Sequence, residues 1–335
     1  MIAKHTSLSF LALAVVLVAC SKDKPSEVTT TAAQPTGTTM AGGTTKPAET
    51  APAPTTPPAP SMGKPVLTFK DGLSTPESVL YDQATDEYIV SNIAGDPLAH
   101  DGNGYIAKLA PDGKVIEAKW IEGKKKGVTL NAPKGLAIAD DKLYVSDIDT
   151  VRIFDKKTGA PAGEVKIPGG TFVNDLAVAP DGRVLVSDSG LRSGKQSMEP
   201  SGSDAVYAID KDKKLTTIAK GKELGGPNGL LPRADKTWVV GFQSGELYSL
   251  DAKGKRADVQ KLQNGSLDGI VALPSGDLLV SSWDASGVFR GKPGGSFVVV
   301  LEGVKAPADI GYDTKRGRLL VPLFNDNEIR VYDVK

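Results

Sequence analysis

Six residues at one recurring phase, Glu77, Lys134, Asn174, Asn228, Asp268 and Ala308, are where this chain of 335 residues could do chemistry. Each is the second residue of a segment that otherwise reads as plain strand. The segments are PESVLYDQATDEYIVSNI from Pro76, PKGLAIADDKLYVSDI from Pro133, VNDLAVAPDGRVLVSDS from Val173, PNGLLPRADKTWVVGFQ from Pro227, LDGIVALPSGDLLVSSW from Leu267 and PADIGYDTKRGRLLVPLF from Pro307. A strand position facing a core would be apolar. This column instead holds two carboxylates, two amides, an amine and one small residue. Oxygen donors of that kind, brought to one point, suit Ca²⁺ or another hard divalent cation, which takes several carboxylate and amide oxygens. The column has no histidine, and the chain's one cysteine is Cys20, so zinc and copper are disfavoured.

The elements that must position these residues follow from the same repeat. The markers are separated by 57, 40, 54, 40 and 40 residues, a period near 40 with two insertions. Each unit continues with a further strand pair, as in Val151–Asp155 then Gly163–Ile167. Four strands per unit at that period predict an all-β, six-bladed β-propeller over residues 65–335. The sixth unit ends one strand short after Val334. The stretch Val66–Phe69 supplies it, so that an N-terminal strand closes the last blade and covers a sheet edge. The markers then line the mouth of the central channel. The insertions, residues 94–104 and 190–202, both follow a second strand and should rise on one face. A second column ends the second strands: Asn92, Asp147, Asp188, Phe242, Ser282 and Leu323.

Ahead of the propeller, Lys4 and the apolar run from Leu8 to Ala19 have the length and flanks of a secretory signal, giving a signal peptide over residues 1–19. The run ends Leu17-Val18-Ala19-Cys20, which resembles the bacterial lipobox and implies lipidation of Cys20. Ser21 stands where an Asp would direct inner-membrane retention in enteric bacteria. The expected location is therefore the cell envelope, at the outer membrane facing the periplasm. Residues 20–64 follow as a disordered Thr/Ala/Pro-rich tether, with too few large apolar residues to order itself. The chain has 40 Lys and Arg against 40 Asp and Glu, so no global field draws it to nucleic acid. The run Lys124-Lys125-Lys126 between Gly123 and Gly127 reads as a solvated turn.

Three motifs carry a family resemblance: Asn174-Asp175 followed by Pro180-Asp181-Gly182, Pro227-Asn228-Gly229-Leu230, and Leu267-Asp268-Gly269. Over residues 66–335 the chain resembles the gluconolactonase, regucalcin and luciferin-regenerating enzyme family of six-bladed propellers. It is similar, more distantly, to strictosidine-synthase-like and paraoxonase-like propellers. The resemblance implies a divalent metal, commonly calcium, on Glu77, Asn174, Asn228 and Asp268. It also implies Asp268 as the proton-transferring residue when a lactone or carboxylic ester is opened. Two departures stand out. Glu77 lies in Pro-Glu-Ser where gluconolactonases commonly have Glu-Gly-Pro, and Lys134 puts an ammonium in the ring, which would weaken cation binding unless a carboxylate such as Asp147 pairs with it. The family's substrate-contacting arginines have no clear counterpart.

Plainer readings compete with these. Asn-Gly and Asp-Gly make turns on their own account, but Glu77 and Asn174 at the same phase are not turn residues. His100, in the Gly-rich 94–104 loop, is a candidate general base, and with Lys134, Asp147 and Asp188 a candidate to support the metal ligands or touch substrate; His100, Asp147 and Asp188 are as readily solvated loop residues. The chain is thus expected to be an envelope-anchored, calcium-dependent lactonase or esterase-like hydrolase, with its membrane link through Cys20. The substrate would be a sugar lactone, an acyl lactone or an ester. The alternative is a non-catalytic propeller that binds a protein partner and holds a structural calcium.

Overall fold

The computed structural model describes residues 61–195 and 197–334. The signal segment, Cys20 and the tether as far as residue 60 lie outside the described residues. Among the described residues, twenty-six strands build six four-stranded antiparallel sheets and one two-stranded hairpin. The fold is a six-bladed β-propeller, as the repeat predicts.

The innermost strands are β2 (Pro76–Asp82), β6 (Pro133–Ala139), β10 (Val173–Val178), β16 (Pro227–Pro232), β20 (Leu267–Ala272) and the short β24 (Gly311–Asp313). The strands that follow them are β3 (Glu87–Asn92), β7 (Lys142–Asp147), β11 (Val184–Asp188), β17 (Thr237–Gly241), β21 (Leu278–Ser282) and β25 (Arg318–Leu323). Closure is by β1 (Leu67–Phe69), which pairs with β26 (Glu328–Asp333) at Leu67↔Val331 and Phe69↔Ile329. The 190–202 insertion is itself a hairpin of β12 (Leu191–Ser193) and β13 (Met198–Pro200).

Apolar residues on each blade pack against the next blade rather than into a shared centre. Val151 and Ile153 of the second blade meet Val184, Val186 and Tyr207 of the third. Phe69, Ile329 and Val331 of the last blade meet Val79, Tyr88 and Val90 of the first. Six such interfaces complete the circle and leave the axis free for polar side chains.

The axis is polar because every full innermost strand carries a bulge at the marker. Pairing jumps from Pro76↔Asn92 to Val79↔Val90, from Pro133↔Asp147 to Leu136↔Val145, and likewise in the next three blades. Two residues therefore oppose one, and the marker is released from strict alternation and aimed inward. Serines on the neighbouring strand satisfy the freed backbone: Ser91 Oγ accepts from the Ser78 N–H at 2.9 Å, Ser187 from Asp175 at 2.9 Å and Ser281 from Gly269 at 2.8 Å.

The bulges crowd one another around the axis. A Cβ on Gly229 would stand 2.5 Å from the Asp268 carbonyl oxygen, and one on Gly269 would stand 2.4 Å from the Ile310 nitrogen. Both neighbours are backbone and cannot swing away. Gly269→Ala is therefore expected to cost about 1–3 kcal/mol, as overpacking does, and to lower the midpoint of a thermal melt by several degrees. An unchanged midpoint would show that the blades slide more freely than this packing allows.

Candidate functional site

Within the channel, Glu77, Asn174, Asn228 and Asp268 are each at most 5% exposed and lie on the first, third, fourth and fifth blades. Two of their oxygens, Glu77 Oε2 and Asp268 Oδ1, are buried with no hydrogen-bond partner. Leaving a buried carboxylate oxygen unmatched is costly, so each such atom calls for a reason. The other donors are already committed. Trp283 Nε1 donates to Asp268 Oδ2 at 2.8 Å, and the Asn228 amide also hydrogen-bonds the Asp268 carboxylate. Asn174 Nδ2 donates to Ser189 Oγ at 3.0 Å, which leaves the Asn174 carbonyl oxygen as its open end.

Two further carboxylates, Asp175 and Asp309, share the axis, and the sequence gives neither a ligand or catalytic role. Asp175 Oδ1 accepts from its neighbour Leu176, and Oδ2 accepts from the Leu230 N–H of the next blade at 2.6 Å, so Asp175 is a brace between blades. Asp309 accepts from the Ser78 hydroxyl across the closure. Both occupy the second position of the bulge, where the other blades have Ser78, Gly135, Gly229 and Gly269. The bulge makes two consecutive residues point inward, and a period-two reading sees only one of them.

Burial raises the pKa of all four acids. For Glu77 the charges of Asp268 and Asp309 add to burial, while Lys134 opposes it. For Asp175 and Asp268, burial leads and Asp309 adds to it, against their hydrogen bonds. Asp309 is pushed up to about 7 by burial, with the Ser78 bond opposing. Among the described residues none of the four has a salt-bridge partner. The axis is therefore short of positive charge.

Lys134 does not make up the shortfall by direct pairing. It is fully buried, its Nζ donates to the carbonyls of Pro97 and Ala132 at 3.1 Å each, and it stands 4.5 Å from the centre of the Phe172 ring. Burial lowers its pKa, partly offset by Glu77 and Asp147. Asp147 is not its partner. Asp147 Oδ1 accepts from the Asn131 and Ala132 N–H groups, and Oδ2 accepts from Arg152 at 3.0 Å.

The second column thus serves the loops. Asp188 accepts from the N–H groups of Thr171, Phe172 and Gly190, and Asn92 accepts from Ser74. Each holds the segment leading into its own innermost strand. In the fourth blade the register puts Gly241, not Phe242, opposite Pro227, so the true member is Gly241, and Asp204 of the preceding blade holds the Gly226 N–H instead. The position differs by one from the column expected from the repeat because nothing in Val239-Val240-Gly241-Phe242 marks the strand end. Asp188→Ala is expected to destabilise the fold by about 3 kcal/mol in urea unfolding, through the buried N–H groups left unmatched. Calcium affinity should be unchanged; a large loss of affinity would make Asp188 a ligand rather than a clamp.

His100 is exposed in its loop. It contributes to lowering the pKa of Asp149, where burial acts upward and is outweighed by the hydrogen bonds from Lys166 and Thr150.

Among the described residues no three Asp, Glu, His or Cys side chains are grouped to hold an ion by themselves. The set that fits a cation is instead mixed: two carboxylates with an orphaned oxygen each, Glu77 and Asp268, and the two buried amides Asn174 and Asn228. That is hard-cation chemistry, with no nitrogen or sulfur donor.

A family profile for the SMP-30/gluconolactonase/LRE-like region matches residues 75–310, which takes in all six markers. The chain belongs to this family. No curated protein matches the chain. Among solved structures, a gluconolactonase from Xanthomonas campestris is 20% identical, with 79% of this chain and 88% of that one covered at a TM-score of 0.57. A luciferin-regenerating enzyme is 16% identical over 80% and 94%, at 0.57. Virginiamycin B lyase from Staphylococcus aureus is 13% identical over 80% and 98%, at 0.54. At such identities these likenesses are of fold. The lyase shares the propeller, so the architecture alone does not select a reaction.

Proposed function

We propose that this protein is an envelope-anchored, calcium-dependent lactonase or esterase-like hydrolase, with the cation held by Glu77, Asn174, Asn228 and Asp268. Membership of a family named for gluconolactonases supports lactone hydrolysis as the reaction class. The observation that carries the reading is the pair of orphaned buried oxygens, Glu77 Oε2 and Asp268 Oδ1, on different blades but close enough for the charge of one carboxylate to act on the other. A bound divalent cation would supply Lewis acidity toward a carbonyl oxygen.

The chain's own residues account for the rest. The Trp283 N–H fixes the Asp268 carboxylate through Oδ2, which leaves Oδ1 without a hydrogen-bond partner. Held in a buried site, Asp268 accepts a proton from an attacking water and returns it to the leaving alkoxide. Asn228, hydrogen-bonded to the same carboxylate, stabilises its ionised form. The Lys134 ammonium, close enough to Glu77 to lower its pKa, favours the ionised glutamate the cation requires.

A structural cation without chemistry is the second reading, favoured by one observation: Glu77, Asn174, Asn228 and Asp268 come from four separate blades, so a bound ion would also tie the ring together. Calorimetry with calcium separates the outcomes. Wild-type protein is expected to bind one ion, and Asn228→Ala to weaken binding by at least tenfold. Binding joined to opening of lactones or esters supports the hydrolase. Binding joined to a raised melting temperature, with no lactone or ester opened, supports the structural ion. No binding by folded protein would overturn both.

A further inference from the structure

Adjoining the candidate site through the Trp283–Asp268 and Ser189–Asn174 hydrogen bonds runs a third ring, made by the residue that follows each second strand. The register identifies it: Ile93, Ile148, Ser189, Phe242, Trp283 and Phe324 come one position after the partners of the first innermost-strand residues. Five of the six are apolar or aromatic. Phe242 meets Trp283 edge to face with centroids 5.7 Å apart, and Trp283 meets Phe324 at 5.3 Å. Phe324 in turn packs on the cluster of Ile93, Ala132 and Ile148, joined by Leu98 from the 94–104 loop. The apolar wall is therefore continuous from the fourth blade through the sixth to the second.

The three aromatic residues are each only partly buried, so some of their apolar surface remains free. Ser189 is the polar member, and its hydroxyl is committed: it accepts from Asn174 and donates to the Pro227 carbonyl at 2.8 Å. No charged side chain belongs to the ring. A substrate rich in hydroxyl groups would lose water on entering such a collar and gain few hydrogen bonds in return. A hydrocarbon chain or an aryl group would gain contact area. Trp283 links the wall to the chemistry, since the same indole that forms its centre holds Asp268 at 2.8 Å.

We infer that the collar of Phe242, Trp283 and Phe324 selects lactones or esters bearing a hydrophobic acyl or aryl substituent, and discriminates against sugar lactones. The inference rests on the reading of the adjoining site as a lactone- or ester-opening centre. Each methylene seated against the wall is worth about fourfold in kcat/KM.

The test compares calcium-loaded protein on γ-butyrolactone, γ-octalactone, γ-dodecalactone and glucono-δ-lactone. In parallel, calorimetry measures binding of the γ-lactam with the same alkyl chain as γ-dodecalactone, which does not require turnover. The expected result is a rise in kcat/KM along the γ-lactones, weak activity on the sugar lactone, and a series flattened by Phe242→Ser but kept by Phe242→Leu. Retention in the leucine variant separates loss of an apolar surface from loss of the fold. A flat series, or preference for glucono-δ-lactone, overturns the collar inference and leaves the hydrolase reading standing. No turnover of any lactone, with lactam binding that still weakens in Phe242→Ser, overturns the hydrolase reading and leaves the apolar collar standing. Neither turnover nor lactam binding overturns both.

Discussion

Asp268→Asn is expected to lower kcat for lactone or ester opening by about 10²–10⁴-fold, the usual worth of a positioned acid–base group. The substitution changes little else. The amide is nearly the same shape as the carboxylate, and its oxygen still accepts from Trp283 Nε1, now 2.8 Å from Asp268 Oδ2. It does remove the group that takes the proton, and it removes one of the two orphaned oxygens as an anionic donor. Calcium affinity should fall as well. The decisive measurement is therefore kcat at saturating calcium, with circular dichroism to verify the fold. Activity within threefold of wild type would remove Asp268 from the chemistry and direct attention to Glu77, the other carboxylate with an orphaned oxygen.

Stripped of divalent cations, the protein is expected to lose stability as pH rises from about 4 to about 7, the reverse of ordinary acid denaturation. Asp309 is raised to about 7 by burial, and burial also raises Glu77, Asp175 and Asp268. The unfolded chain releases these protons near pH 4, while the folded chain still holds them. Folding therefore takes up protons in that window, and stability falls as pH climbs through it, by up to about 1.4 kcal/mol per pH unit for each group. Ion-paired carboxylates do not mask the trend. Asp82 is lowered because its bonds from Lys156, Thr85 and the backbone outweigh burial, and Asp181 is lowered first by Arg183, so their contribution is lost only below about pH 4. Calcium should flatten the dependence, because a cation at Glu77 and Asp268 favours the ionised forms. Thermal melts in chelator across that range, repeated with calcium, measure both halves. A melting temperature that climbs with pH in chelator would show that water or Lys134 compensates the buried acids without a cation.

Much of this was legible in the chain because a propeller is a repeat. Forty-residue spacing, paired apolar strands and Asp-Gly turns identify the blades one by one, and the missing last strand points back to the N-terminal segment that Leu67–Phe69 fills. Glu77, Asn174, Asn228 and Asp268 stand out by type, since carboxylates and amides at a phase reserved for core residues have no packing rationale. Lys134 and Asp147 were equally visible, but their partners were not. The ammonium reaches two backbone carbonyls, and the carboxylate reaches the 131–132 backbone and Arg152.

Sequence alone therefore determined the architecture and the donor types, because both follow from local periodicity and side-chain chemistry. Only the tertiary structure decided which atoms are open. It showed that Asp175 and Asp309 share the axis with Glu77 and Asp268, that Asp188 clamps a loop, and that Trp283 orients Asp268. The physical reason is the bulge. One extra residue in each full innermost strand turns two successive side chains toward the axis and breaks the alternation on which sequence reading depends, and the partners of those side chains come from the next strand and from other blades, as Trp283 does for Asp268 and Leu230 for Asp175.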